Sequence, residues 1–116
     1  MRWCPDEALR CVARVLREST RADDVVARYG GEEFVVLMGG NIEDAIEVAK
    51  RVRRGVEHES ETGNGTLSGS AITVSVGVAA LTEDVSNLEQ LVEKADDELY
   101  RAKRAGKNRV AAVGRR

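Results

Sequence analysis

The sequence predicts an α+β or α/β sandwich in which helices pack on a mixed β-sheet. Its 116 residues fit one domain, residues 1–116, and its 42% hydrophobic and 33% charged residues are ordinary for a globular protein. Hydrophobic periodicities of helical and strand type follow one another as helix, hairpin, helix, strand, helix, strand. No apolar run approaches the length needed to span a membrane.

The first half of the chain predicts a helix and a β-hairpin. The helix covers Asp6–Glu18, because four apolar residues recur on a single face: Leu9, Val12, Ala13 and Leu16. Pro5 suits the first turn, where its missing N–H costs nothing. Strands over Val25–Tyr29 and Phe34–Met38 flank Gly30-Gly31, which can form a tight turn.

A second helix and a further strand follow the hairpin. Asn41 is a suitable N-cap, and Glu43 and Asp44 lie in the first turn, where the helix dipole favours acidic residues. The predicted buried stripe of this helix is Ile42, Ala45, Ile46, Ala49 and Val52. Glu59–Ser70 is rich in Gly, Ser and Thr and predicts a flexible loop. The alternation over Ala71–Ala80 then predicts a strand.

The last third of the chain predicts a helix and an edge strand. Ser86 and Glu89 form a capping-box pattern at the helix start, and Gly106 is a suitable stop. The predicted inward residues are Leu88, Leu91, Val92, Ala95 and Leu99. Arg109–Val113 predicts a short closing strand.

Charge and cysteine content exclude some classes of function. The net charge of −2 argues against binding a nucleic-acid polymer through a broad basic field. Cys4 and Cys11 are too few for a disulfide framework and have no His or Cys cluster to complete a zinc site. We therefore expect reduced thiols in a cytoplasmic domain.

The tip of the predicted hairpin carries the most specific chemical signal. Gly30 and Gly31 lack a Cβ and allow another group to approach the backbone closely. Glu32 and Glu33 follow directly, and adjacent carboxylates repel each other unless a cation lies between them. Magnesium binds to a few carboxylate oxygens together with substrate phosphates. Spacing alone leaves two readings open, a solvated hairpin tip and a metal site.

Four segments together resemble the GGDEF domains, the diguanylate cyclases. "RYGGEEF" is similar to the family signature in its GGEEF variant, and "DEAL" resembles the start of the family's first helix. "ITVSVGVA" and "ADDELYRAKRAGKNRV" resemble the central strand and the closing helix with its turn. These segments follow in family order across almost the whole chain. The resemblance implies an α+β fold of the nucleotide-cyclase, palm-like type, in which helices flank a mixed, mainly antiparallel β-sheet that lacks the family's first strand.

The resemblance also implies an activity and its residues. Diguanylate cyclases condense two GTP molecules into cyclic di-GMP in a homodimer, with Mg2+ or Mn2+ as cofactor. By similarity, Glu32 would bind the metal and accept the proton, and Glu33 would be a supporting metal ligand. Gly30 and Gly31 would admit the nucleotide. Asp6 would hydrogen-bond guanine, whose ring N–H and amino group are adjacent donors.

Two further groups of residues match family positions. Lys103 and Lys107 would reach the triphosphate, although lysines on a solvated helix face are the alternative reading. Arg21 and Asp24 have the RxxD spacing of the family's inhibitory site, where cyclic di-GMP binds, and Arg51 matches a secondary arginine of that site. Taken without the resemblance, Arg21 and Asp24 would be an ordinary turn-stabilising pair.

One part of the family pattern has no match. Family members begin with a strand that carries an aspartate metal ligand, and "MRWCP" does not resemble it. We therefore expect the chain to be inactive alone and the whole protein to be the cyclase. The resemblance also implies sensor or receiver domains in the whole protein and leaves open whether that protein is tethered to a membrane. The alternatives are a catalytically inactive domain that binds cyclic di-GMP as a receptor and an interaction domain without a ligand.

Overall fold

The structure is a computed structural model that describes residues 5–28, 33–62, 72–82 and 85–113. Its elements are α1 (Pro5–Ser19), β1 (Val25–Arg28), β2 (Phe34–Leu37), α2 (Ile42–Thr62), β3 (Val76–Val78), α3 (Leu88–Arg104) and β4 (Val110–Ala112). The order of these elements and the α+β class confirm the prediction from sequence. No helix in these ranges is both long and apolar enough to cross a membrane.

The described strands form two separate pairs. β1 and β2 are antiparallel, with Val25 opposite Leu37 and Arg28 opposite Phe34. β3 and β4 are parallel, with Val76 opposite Val110. The predicted strand over 71–80 is too long, since only Val76–Val78 pair with a described strand. A strand is defined by its partner, and the segment 72–75 has none within the described ranges.

Helix α2 lies between α1 and the strands and carries most of the core. One cluster of buried residues joins α1 to α2: Val15, Leu16, Val52 and Val56. Ile72 and Val74 pack against this cluster although they belong to no strand. A second cluster joins α2 to β3 and β4 through Ala49, Val78 and Ala112. Val56 is fully buried, so the apolar stripe of α2 extends one turn beyond the predicted one.

Two predicted inward faces need correction. On α1 the buried residues are Ala8, Cys11, Val15 and Leu16, so the face is rotated from the predicted one and Leu9 and Ala13 are only partly covered. On α3 Leu88 is 53% exposed, because it lies in the first turn of the helix, beyond the strands that cover the later turns. Glu98 and Ala102 are the buried residues of α3.

Helix α3 packs on the face of β3 opposite α2. Gly77 makes this packing possible, because a Cβ at this position would meet the carbonyl oxygen of Ala95 and the backbone N of Leu99, both in α3. It would also lie 2.8 Å from Leu99 Cα. The alternation predicted around this strand is therefore correct, with valines facing α2 and the glycine facing α3.

The helix ends follow local hydrogen-bonding rules. Asn41 Oδ1 accepts from Asp44 N at 2.9 Å and Asp44 Oδ2 accepts from Asn41 N at 3.3 Å, which confirms the predicted cap of α2. The N-cap of α3 is Asn87, which accepts from Gln90 N at 2.9 Å, one residue later than the predicted Ser86. Gln90 Oε1 instead accepts from Ser86 N at 2.7 Å.

Candidate functional site

The pairing of β1 with β2 determines where Glu33 lies. Because Arg28 pairs with Phe34, the segment 29–33 is the connection between the two strands. Glu33 lies at the end of this connection and is exposed to solvent. The predicted residues Gly30, Gly31 and Glu32 lie outside the described residues. Glu33 thus offers one accessible carboxylate, a hard oxygen donor of the kind magnesium prefers.

A short turn between α1 and β1 holds Arg21 and Asp24. The N–H of Arg21 donates to Asp24 Oδ2 at 2.8 Å, and the N–H of Asp24 donates to the carbonyl oxygen of Arg21 at 3.1 Å. The Arg21 side chain is exposed, and Asp24 is half-buried. These two hydrogen bonds hold the arginine and the aspartate in one tight turn, with the guanidinium left on the surface.

Arg51 of α2 lies beside the same end of α1. Its Nη1 donates to the carbonyl oxygen of Ser19, the last residue of α1, at 3.4 Å. Packing of α1 on α2 therefore brings Arg51 near the Arg21–Asp24 turn, from which it is separated by 27 or more residues of sequence. The geometry provides two exposed guanidinium groups and one carboxylate in this region.

Lys103 and Lys107 lie at the C-terminal end of α3, and both are exposed. Lys103 is in the last helical turn, where the helix dipole favours cations. Lys107 follows in a turn that closes the helix: its N–H donates to the carbonyl oxygen of Ala102 at 3.0 Å, and Gly106 N donates to Lys103 O at 3.4 Å. This is the Schellman arrangement, and it confirms the predicted stop near Gly106.

The ion pairs within the described ranges do not include any predicted site residue. They join Arg14 to Glu59, Arg53 to Glu57 and Arg101 to Glu98. Within the described ranges no group of three His, Cys, Asp or Glu residues is placed to hold a metal ion. Asp6 lies in the first turn of α1, and its side chain is outside the described residues.

Sequence reasoning missed a polar cluster between α2 and the turn after α3. Asn108 Nδ2 donates to Glu57 Oε2 at 2.8 Å, and Arg53 Nη1 donates to Asn108 Oδ1 at 3.0 Å. Asn108 N also donates to Ser75 Oγ at 3.2 Å. We name these three partners, Arg53, Glu57 and Ser75, the Asn108 clamp. The only signal in the sequence is an asparagine beside a glycine turn, which does not reveal partners more than 30 residues away.

A buried carboxylate on α3 was also missed. The side chain of Glu98 is 2% exposed, and its Oε2 lies 3.4 Å from Arg101 Nε. Its position was visible in the sequence, because Ala95, Glu98 and Ala102 follow helical spacing on one face. An acidic residue on an apolar stripe is more often exposed, which is why the pattern was not read as burial.

Two other features of the described residues, a groove and a buried thiol, involve no predicted site residue. An open groove between α2 and β4 is lined by Glu43, Ile46, Glu47, Lys50, Val110 and Ala112, none of them a predicted site residue. Burial raises the pKa of the Cys11 thiol, while nearby Arg14 lowers it and Glu59 raises it. The thiol therefore stays protonated at neutral pH and is a poor nucleophile.

Comparisons with known proteins identify the family of this chain. The family described as "Diguanylate cyclase, GGDEF domain" matches residues 3–109. Diguanylate cyclase A of Treponema denticola is 39% identical over 106 residues, which are 90% of this chain and 28% of that protein. Diguanylate cyclase DgcM of Escherichia coli is 40% identical over 109 residues, 93% of this chain and 25% of that protein. The chain thus spans about a quarter of the length of these relatives.

Solved structures give the same result for the fold. The active GGEEF domain of a diguanylate cyclase from Vibrio cholerae superposes with a TM-score of 0.79 at 28% identity, covering 92% of this chain and 67% of that one. The GGDEF domain of DgcB from Caulobacter crescentus, solved in complex with c-di-GMP, gives 0.80 at 33% identity, covering 93% and 64%. With the family match over residues 3–109, these results show that the chain belongs to the GGDEF domain family of diguanylate cyclases.

Proposed function

We propose that this domain is the catalytic domain of a diguanylate cyclase that condenses two GTP molecules into cyclic di-GMP. Two facing copies each bind one GTP. The 3′-oxygen of each nucleotide bonds to the α-phosphorus of the other, the bond between its α- and β-phosphates breaks, and each step releases pyrophosphate. The carboxylate of Glu32 accepts the proton of the attacking hydroxyl.

The observation that carries this proposal is the hairpin register. Pairing of Arg28 with Phe34 closes a five-residue connection, 29–33, whose sequence is YGGEE. Glu33 is exposed at its end, so the acidic group faces solvent where a nucleotide can approach. Two adjacent carboxylates between paired strands favour metal binding and proton transfer over a plain turn, since a plain turn needs no acidic residues.

The donor set fits a hard divalent cation. Glu32 and Glu33 would hold Mg2+ or Mn2+ through carboxylate oxygens. When bound, the ion offsets the negative charge of the phosphates. Asp6 binds the guanine edge and Lys103 and Lys107 bind the triphosphate, in agreement with the exposure of both lysines.

Product feedback is the second part of the proposal. Cyclic di-GMP binds at the Arg21–Asp24 turn with help from Arg51. Support comes from the turn itself: the bond from Arg21 N to the Asp24 carboxylate and the bond from Asp24 N to Arg21 O set the geometry and leave the Arg21 guanidinium exposed. Guanidinium groups bind phosphate and guanine acceptors in a fixed fork geometry, which suits this ligand.

Turnover of GTP tests the proposal. The full gene product is incubated with GTP and Mg2+. The cyclic di-GMP and pyrophosphate formed are then measured by chromatography. We expect Glu32→Gln to abolish product formation, whereas Glu47→Gln, which removes an exposed carboxylate of α2, leaves it unchanged. Equal activity of wild type and Glu32→Gln would contradict the proposed role of Glu32.

Feedback is tested in the same assay. We expect added cyclic di-GMP to inhibit the wild type and to leave Arg21→Ala uninhibited at the same turnover rate. If isothermal titration calorimetry shows that cyclic di-GMP binds and no GTP turnover is detected, the receptor alternative replaces the cyclase proposal. Inhibition that persists in Arg21→Ala would refute the assignment of the turn.

A further inference from the structure

The turn that carries Lys107 has an unusual backbone. Lys107 and Asn108 have φ angles of 65° and 49°, so two consecutive residues with a Cβ adopt the left-handed conformation. Asparagine tolerates this conformation, but lysine gains nothing from it. Such a pair persists only when surrounding interactions hold it in place.

The Asn108 clamp supplies those interactions. Both polar functions of the Asn108 amide are used, the oxygen by Arg53 and the nitrogen by Glu57, and its backbone N–H donates to Ser75 Oγ. Arg53 and Glu57 are one turn apart on α2 and lie 3.5 Å apart, Nη1 to Oε1. Their side chains are 24% and 34% exposed, so water competes only partly with these bonds. The turn is therefore attached to α2 and to the segment before β3.

The clamp holds the peptide group that joins Lys107 to Asn108, because Asn108 N donates to Ser75 Oγ. The N–H of Lys107 is bonded to Ala102 O, and its carbonyl oxygen accepts from Arg109 Nε at 3.1 Å. Both peptide groups of Lys107 are thus fixed, while its exposed side chain enters no ion pair within the described ranges. A fixed backbone and a free cation are what a site needs to hold a phosphate at a defined place.

We infer that the Asn108 clamp is a positioning device for Lys107, and that Arg53, Glu57 and Asn108 set the affinity of this domain for the triphosphate of GTP without contacting it. The inference rests on the proposed function, in which Lys107 binds the triphosphate. The alternative is that the clamp only anchors the end of α3. The two differ in whether the clamp acts through Lys107.

A double-mutant cycle separates them. The variants are Asn108→Gly, which keeps a residue suited to the left-handed backbone but removes the amide, Lys107→Ala, and the two combined. The affinity of the full gene product for a nonhydrolysable GTP analogue with Mg2+ is measured by isothermal titration calorimetry, so that turnover does not interfere. We expect each single variant to weaken binding about tenfold and the combined variant to bind no more weakly than Lys107→Ala. Losses that multiply in the combined variant would overturn the inference, because the clamp would then act independently of Lys107.

A swap of donor and acceptor gives a second test. Asn108→Asp alone places a carboxylate against Glu57 and should weaken GTP binding. Combining it with Glu57→Gln restores a donor facing an acceptor, so we expect affinity to return to within about twofold of wild type. Failure of this rescue in a variant that unfolds at the wild-type temperature would contradict the positioning role.

Two controls distinguish the failure of this inference from that of the proposed function. Cyclic di-GMP binding, assigned to the Arg21–Asp24 turn, should be unchanged in every clamp variant. A loss there would mean that the whole domain is disturbed and would count against a local positioning role. If the wild-type gene product does not bind the GTP analogue, the proposed nucleotide site itself fails; if it binds the analogue but the cycle is additive, only the inference fails.

Discussion

Replacing Gly77 by alanine should separate α3 from β3. The new Cβ would meet backbone atoms of Ala95 and Leu99, and it would lie 2.8 Å from Leu99 Cα. Carbon atoms pack favourably at about 3.5–4.0 Å, so the strand and the helix must move apart by about 1 Å. Backbone atoms cannot turn aside as a side-chain end can, because they belong to the hydrogen-bonded helix.

The expected cost lies at the upper end for an overpacked core, about 3 kcal/mol. For a domain of this size that loss lowers the melting temperature by about 10 °C or more. Gly39→Ala is the matched control, since its added Cβ would have no atom within 4 Å and the variant should stay within about 0.5 kcal/mol of wild type. Urea unfolding followed by circular dichroism measures both variants. A Gly77→Ala variant as stable as Gly39→Ala would refute the packing of α3 directly on this strand.

Two further predictions concern stability and reactivity. Asn41→Ala should cost about 1 kcal/mol by removing the acceptor that caps α2, whereas Asn41→Asp should retain most of the stability; equal losses in urea unfolding would contradict the capping role. In a Cys4→Ser background, Cys11 should react with maleimide slowly in the native chain and rapidly in urea, because its thiol is buried and its pKa is raised. The raised pKa of Cys11 also predicts that the free energy of unfolding falls as the pH rises above the ordinary thiol pKa of about 8.5, because the unfolded chain releases the thiol proton first. Urea unfolding at pH 7 and pH 9 measures whether stability falls in this direction.

The sequence predicted most of the local structure. The hairpin, the cap at Asn41 and the stop at Gly106 follow from rules that act over a few residues, and all three are present. The α3 cap was misplaced by one residue because Ser86 and Asn87 are both good cap residues, and competition between neighbours decides which of them is used. The strand over 71–80 was overestimated because alternation shows which residues can form a strand and says nothing of a partner.

For the candidate site, residue types could be read from the sequence and relations between them could not. The resemblance of short motifs to the GGDEF family selected Glu33, Lys107 and the Arg21–Asp24 turn, because such motifs lie within a few residues of sequence. The attachment of Asn108 to Arg53 and Glu57 joins positions 51 or more residues apart, and no local pattern contains it.

The sequence by itself therefore determined the family, the order of helices and strands and the residues that can carry chemistry. Only the tertiary structure decided that α3 packs on the backbone of β3 at Gly77, that Glu98 is buried and that the turn carrying Lys107 is fixed to α2. The physical reason is range. Capping, turns and periodicity are set by neighbours along the chain, whereas burial and long-range hydrogen bonds depend on which distant segments meet when the helices pack on the strands.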